Sequence, residues 1–186
     1  MNIFSTFKLK NKYPDASPLY FKIVRQARLP VFYENLGIPD TASGRFDLIA
    51  LHAFIVMKRL KGTGTDGGNL SQALFDYMFV DLDKNLREMG VGDLAVGKKI
   101  KKLAAAYYGR VKAYDVALQN TDVSLEAALK RNIYLDSNPS SQQLSAMVNY
   151  VRDLSETSNS WSLEQIIKVS FDFQTPPNTE LLINDY

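Results

Sequence analysis

Apolar residues recur at intervals of three and four through most of this chain, and proline is absent from Asp40 to Asn138. Together these features predict long helices. Ser17-Pro18 reads as a cap followed by proline at the first helical position, and predicts a helix to about Arg28. Pro30 to Leu36 predicts a short helix closed by Gly37. Thr41 or Ser43 caps a helix to about Lys61, ended by Gly62. Asn69 caps another to about Met89, ended by Gly90, and Asp93 starts a long one to about Gln119. Ser124 opens a helix to about Tyr134, Ser140 or Ser141 one to about Ser155, and Ser160 or Ser162 a last short one. Val169 to Phe173 alternates briefly and reads as a short strand or an extended tail.

The predicted fold class is therefore all-α: a single irregular bundle of about seven or eight helices with an extended C-terminal tail. The expected organisation is an N-terminal arm over 1–16, a helical domain over 17–174 and a tail over 175–186. The stretch from Gly44 to Lys61 carries Phe46, Leu48, Ile49, Leu51, Phe54, Ile55, Val56, Met57 and Leu60, which cover most of a helix circumference. A helix apolar all round belongs at the centre of a core. Tyr20, Ile23 and Val24, with Leu74, Phe75, Met78, Phe79 and Leu82, are expected to pack around it. There is no internal repeat and no low-complexity segment.

Composition narrows the classes. A chain of 186 residues suits one domain and buries enough surface to need no covalent staples. There is no cysteine, which excludes disulfides, thiolate metal sites and a cysteine nucleophile. Net charge is +2, so attraction to polyanions has to come from local clustering. No apolar run reaches the ~18 residues of a membrane span; the longest, Leu48 to Met57, is interrupted by His52. The start, MNIFSTFKLKNKY, lacks the apolar core of a secretory signal and the arginine-rich length of a mitochondrial presequence. The expected location is a bacterial-type cytoplasm, with peripheral contact at the inner membrane, or the mitochondrial matrix if a presequence has been removed.

Several motifs propose chemistry and fail. Gly62-Thr63-Gly64-Thr65-Asp66-Gly67 matches a dinucleotide fingerprint but follows a helix rather than a strand, and reads as a flexible interhelical loop. Asp81, Asp83 and Asn85 have calcium-loop spacing, yet Leu86 and Gly92 stand where glycine and glutamate are required. His52 is the only histidine, with no second histidine or cysteine to make a zinc site, and reads as a core or groove residue. No nucleophile elbow and no phosphate-binding loop are present. No catalytic residue, metal or cofactor is expected.

One constellation survives. From Lys98 to Lys112 there are six basic residues and no acidic one: Lys98, Lys99, Lys101, Lys102, Arg110 and Lys112. On the same helix Ile100, Leu103, Ala104, Tyr107, Val111 and Tyr114 form an apolar face. Such a run serves equally as a solvated helix face or as a contact for phosphates or acidic protein; RNA contact would weaken with salt. DNA is not an expected partner. Phe32, Tyr33 and residues near His52 are the candidates for an apolar protein-binding groove. The corner Arg87-Glu88-Met89-Gly90-Val91-Gly92-Asp93 has its own logic. Gly90, and in the same way Gly92, can take positive φ and reverse the chain, and Asp93 can accept the first amides of the next helix. Arg45 stands at a helix start, where a cation is unfavourable and asks for a partner. Asp40, Asp47, Arg87 and Glu88 are expected to join a buried charge network.

Taken together these segments resemble the ubiquinol–cytochrome c chaperone family. The resemblance is carried by Phe32-Tyr33, Gly37-Ile38-Pro39-Asp40-Thr41, Gly44-Arg45-Phe46-Asp47, Leu51-His52 and Arg59-Leu60. It continues through Leu86 to Asp93, Val96, Lys98-Lys99, Tyr108-Gly109-Arg110 and Arg131-Asn132, and spans about Tyr20 to Tyr134. The resemblance implies a non-catalytic, all-helical assembly factor for newly made cytochrome b. It also implies a small partner protein and association with the ribosome near its exit tunnel. With no cysteine, and with His52 placed for packing, heme handling is not expected.

Overall fold

The computed structural model describes residues 15–119, 124–135 and 137–177. The helices are α1 (Ser17–Ala27), α2 (Val31–Glu34), α3 (Ala42–Lys61), α4 (Gly64–Glu88) and α5 (Asp93–Gln119), then α6 (Leu125–Leu129), which runs into a π-helical turn (Lys130–Tyr134), α7 (Ser141–Ser158) and α8 (Leu163–Ile167). The all-α bundle is as expected. The expected strand at Val169 to Phe173 does not form: Val169, at φ +55°, belongs to the turn after α8, and residues 170–173 follow without strand pairing. The expected N-terminal arm and tail fall mostly outside the described residues.

Local chemistry sets most of the boundaries. Thr41, Ser124, Ser140 and Ser162 each accept an amide hydrogen from the first turn of the following helix. Ser140 and Ser162 complete reciprocal capping boxes with Gln143 and Gln165. At α1 the expectation needs correcting: Ala16, not Ser17, is the capping residue, and the Asp15 carboxylate accepts the Ser17 amide. Gly90, at φ +80°, ends α4, with the Val91 amide donating to Leu86 and the Gly90 amide to Arg87. That pair of bonds is a Schellman motif, which satisfies the last carbonyls of a helix. Gly92 does not take positive φ. Asp93 is the first helical residue of α5 rather than its cap.

The expected loop at Gly62 to Gly67 is corrected as well. From Gly64 onward it belongs to α4, which starts five residues before Asn69. The reason lies in packing: a Cβ on Gly67 would overlap the Thr63 hydroxyl and the Leu60 carbonyl oxygen. Glycine here lets the first turn of α4 press against the end of α3.

Every residue from Phe46 to Met57 is buried, so α3 is the axis of the bundle. α1, α4, α5, α7 and the π turn all pack on it. Burying each leucine or phenylalanine of this axis contributes roughly 1.5–3 kcal/mol. The α4–α5 pair runs away from this core. No residue from Val80 to Ala95 is buried, and the buried Val96 stands apart from the main core cluster. Nearer the bundle an aromatic ladder of Phe79, Phe75, Tyr107 and Tyr108 joins the two helices.

Candidate functional site

Within α3 two polar side chains sit at zero exposure, and each is answered from another helix. Asp47 meets Arg110 of α5, with Nη2 at 2.7 Å from Oδ1. The guanidinium also lies 5.8 Å from the Phe46 ring centre. Burial pushes the Asp47 carboxyl up to about 6, and the nearby charge of Arg110 with the Ser43 hydroxyl only partly offsets it. Tyr114 and Asn132 complete the cluster. Burial raises the Tyr114 pKa, the Asp47 charge adds to the rise, and Asn132 lies beside its hydroxyl. Arg110 Nε, Tyr114 Oη and Asn132 Nδ2 are buried without a well-aligned hydrogen bond to a described residue. The π turn, which widens the backbone locally, is the element that carries Asn132 to this point.

Arg110 therefore does not belong to the outward lysine face. Its side chain is only 14% exposed and is spent on Asp47. Sequence spacing holds a signal for this. Leu103, Tyr107, Arg110 and Tyr114 lie at steps of four, three and four, which places Arg110 on the inward stripe. An aspartate inside an otherwise apolar α3 asks for such a partner.

His52 is the second buried group. Its Nδ1 donates to the Leu48 carbonyl at 2.7 Å, so Nε2 accepts the Tyr150 hydroxyl at 2.8 Å. Burial lowers its pKa to about 4, against the Leu48 bond, and the ring is neutral at physiological pH. The Tyr150 hydroxyl in turn accepts Gln26 Nε2 at 3.0 Å, and the same amide donates to the Gln174 carbonyl. Phe32 and Phe173 pack edge-on against the imidazole.

The expected apolar groove is thus occupied by the chain itself. Phe32 has zero exposure, and Tyr33 is half-buried with its hydroxyl donating to the Ala27 carbonyl. Segment 169–174 lies across the bundle. It is held by Lys22 through Asp172 at 3.0 Å, by Gln26, and by the Trp161–Phe171 stack at 4.3 Å. Arg59 ties in the approach to it, donating to the Trp161 carbonyl at 2.7 Å.

The remaining charges form separate surface pairs rather than one buried network. Arg45 grips Asp40 bidentately at 2.6 and 3.0 Å, with both side chains about half exposed. Arg87 bridges Asp83 at 2.5 Å and Asp93 across the corner, so it joins the end of α4 to the start of α5. Glu88 pairs with Lys84 at 3.7 Å. Gly44 has a packing reason: a Cβ there would overlap the Pro39 carbonyl oxygen, so glycine lets the 38–41 turn close over the start of α3.

Lys98, Lys99, Lys101, Lys102 and Lys112 are exposed, and none makes an ion pair with a described residue. Among the described residues no group of side chains could hold a metal ion, and no helix is long and apolar enough to cross a membrane.

Residues 34–173 match the family described as ubiquinol-cytochrome C chaperone. The chain belongs to the ubiquinol–cytochrome c chaperone family.

Members of this family are assembly chaperones, a non-catalytic role. The crystal structure of the Cbp3 homolog from Brucella abortus superposes with a TM-score of 0.77 at 34% identity, covering 94% of this chain and 97% of that one. The ubiquinol-cytochrome c reductase complex assembly factor 1 of Mus musculus is 25% identical over 80% of this chain and 50% of its own length. Protein CBP3, mitochondrial, of Saccharomyces cerevisiae is 29% identical over 65% of this chain and 40% of its own. The chain thus spans half the length of the mouse relative.

With the family in hand, the motif pieces sort by place. Phe46, Asp47, Arg110 and Asn132 converge on the buried cluster that roots α5 on α3, while Gly44 and Arg45 hold the 38–41 turn against the start of α3. His52 and Phe32 meet at the seat of the C-terminal segment. Leu86 to Asp93 forms the distal corner of the α4–α5 pair.

Proposed function

We propose that this chain is an assembly chaperone for the respiratory ubiquinol–cytochrome c reductase that receives newly made or unassembled cytochrome b. The match of residues 34–173 to the chaperone family carries this reading. The neighbour from Brucella abortus, similar across 94% of the chain, supports it over the whole described fold. A buried ion pair and a neutral, doubly bonded histidine are scaffold features, which leaves the work to the surface. The unpaired lysines of α5 suit an anionic surface at the place of synthesis: the ribosome near its exit tunnel, or the inner membrane. A small partner protein completes the proposed assembly.

The test is co-purification of the chain with cytochrome b, paired with reductase assembly in a strain lacking it. Cytochrome b in the eluate and lost reductase in the deletion strain are expected; normal assembly without the chain sinks the reading. The lysine face also favours a second reading, general ribosome or RNA binding. Ribosome sedimentation at rising salt separates the two, with Lys98, Lys99, Lys101 and Lys102 changed to glutamate. Under the second reading the variant leaves the ribosome while reductase assembly stays normal.

A further inference from the structure

The distal end of the α4–α5 pair combines exposed apolar side chains with a cluster of lysines. Leu94 is 93% exposed and Met89 70% exposed, although both are large apolar side chains. One to two helical turns behind Leu94 on α5 stand Lys98, Lys99, Lys101 and Lys102, all exposed. Helical phase puts Lys98 and Lys101 within about 40° of Leu94 on the outward face, away from Val96, Tyr107 and Tyr114. At 1.5 Å rise per residue the lysines lie roughly 6–12 Å behind Leu94 along the helix. That offset matches the depth of a headgroup layer over the acyl boundary, into which apolar side chains enter by roughly 5–10 Å. From Asp83 to Lys102 six cations face three carboxylates. Arg87 holds Asp83 and Asp93, and Lys84 holds Glu88, so the carboxylates at the tip are partnered while the four lysines are not.

We infer that this tip docks on an anionic lipid bilayer, with Met89 and Leu94 at the acyl boundary and Lys98, Lys99, Lys101 and Lys102 on the lipid phosphates. RNA would account for the lysines but gives Leu94 and Met89 nothing to enter. The inference rests on the inner-membrane part of the proposed function and is independent of which client the chain receives. Arg110 and Asp47 root α5 on α3, so docking of the tip would set how the rest of the surface faces the membrane.

The experiment is flotation of the full chain with vesicles of phosphatidylcholine, with or without added phosphatidylglycerol. Circular dichroism and a thermal melt on every variant confirm folding; both substituted faces are exposed. Binding is expected only to the anionic vesicles, and it should weaken with salt. Changing Lys98, Lys101 and Lys102 to glutamate should reduce partitioning at least about a hundredfold, since each surface lysine is worth roughly fivefold. The pair Met89→Ser with Leu94→Ser should reduce it at least about tenfold. Leu94→Trp should shift its emission to the blue on binding and be quenched by brominated acyl chains. Three results overturn the inference: no binding to anionic vesicles, a serine pair that binds like the parent, or ribosomal RNA competing the chain off the vesicles at lower phosphate concentration than the lipid. Each leaves the cytochrome b test untouched, because client co-purification involves no vesicles.

Discussion

Replacing Asp47 by asparagine keeps the shape of the side chain and removes its titration. Asp47 has no exposure, and burial lifts its carboxyl from an ordinary 3.8 to about 6 despite Arg110. An acid whose native pKa lies above its unfolded one favours the fold below the unfolded value, and that contribution is lost as pH rises through the native value. His52 slopes the other way. Its native value is lowered from 6.5 to about 4, so it favours the fold above 6.5, and that contribution is lost as pH falls toward 4. At 1.36 kcal/mol per pKa unit, going from about pH 5 to about pH 7.5 costs on the order of 1 kcal/mol through Asp47. Over the same interval His52 adds on the order of 2 kcal/mol. The two oppose each other in the parent protein. Asp47→Asn should therefore increase the stability gained between those pH values by on the order of 1 kcal/mol. The assay is urea unfolding by circular dichroism of parent and variant at both pH values. The quantity read is the difference of the two pH differences, in which all other groups cancel. If parent and variant show the same difference, Asp47 titrates as an ordinary carboxylate and the account of the α3–α5 contact is wrong.

Three further outcomes follow from particular contacts. Gly44→Ala places a Cβ against the backbone oxygen of Pro39, which cannot swing aside, and should cost about 1–3 kcal/mol in chemical denaturation; an unchanged midpoint would refute the close approach. Tyr150→Phe leaves His52 Nε2 buried without its donor and should cost about 1–3 kcal/mol, with faster amide exchange in segment 169–174; parent-like exchange there would separate the histidine from the seat of that segment. Gly90→Ala should cost about 1 kcal/mol because φ is +80°, whereas Gly92→Ala should stay within about 0.5 kcal/mol, having neither positive φ nor a crowded Cβ. Equal effects of these two glycine substitutions would show that the corner is not built on Gly90.

The helices were legible because their signals are local. A proline gap, serines and threonines at the right offsets, and Gly37 and Gly90 at positive φ place α2, α3, α5, the end of α4 and the start of α7 to within about two residues. The central place of α3 was legible from an apolar circumference alone. The candidate site was less so. Arg110 sits in a basic run, and charge by itself carries no direction; only its phase with Tyr107 and Tyr114 turns it inward. The start of α4 was misread because glycines usually break helices, and here Gly67 serves a contact with the end of α3 that no local rule contains. The groove expected beside Phe32 and His52 is filled by residues more than a hundred positions away, held by Lys22 and Gln26.

Read by itself, the chain determined its elements, its central helix, its class and its family, because periodicity, capping and motif order are properties of neighbouring residues. Tertiary structure decided which charges are buried and which are free. It paired Asp47 with Arg110, carried Asn132 in on a π turn, and seated the C-terminal segment over His52. It also left Met89 and Leu94 bare beyond the last buried contact of α4 and α5. The physical reason is that the cost of burying a charge, and the worth of exposing an apolar side chain, depend on what the fold brings within a few ångströms.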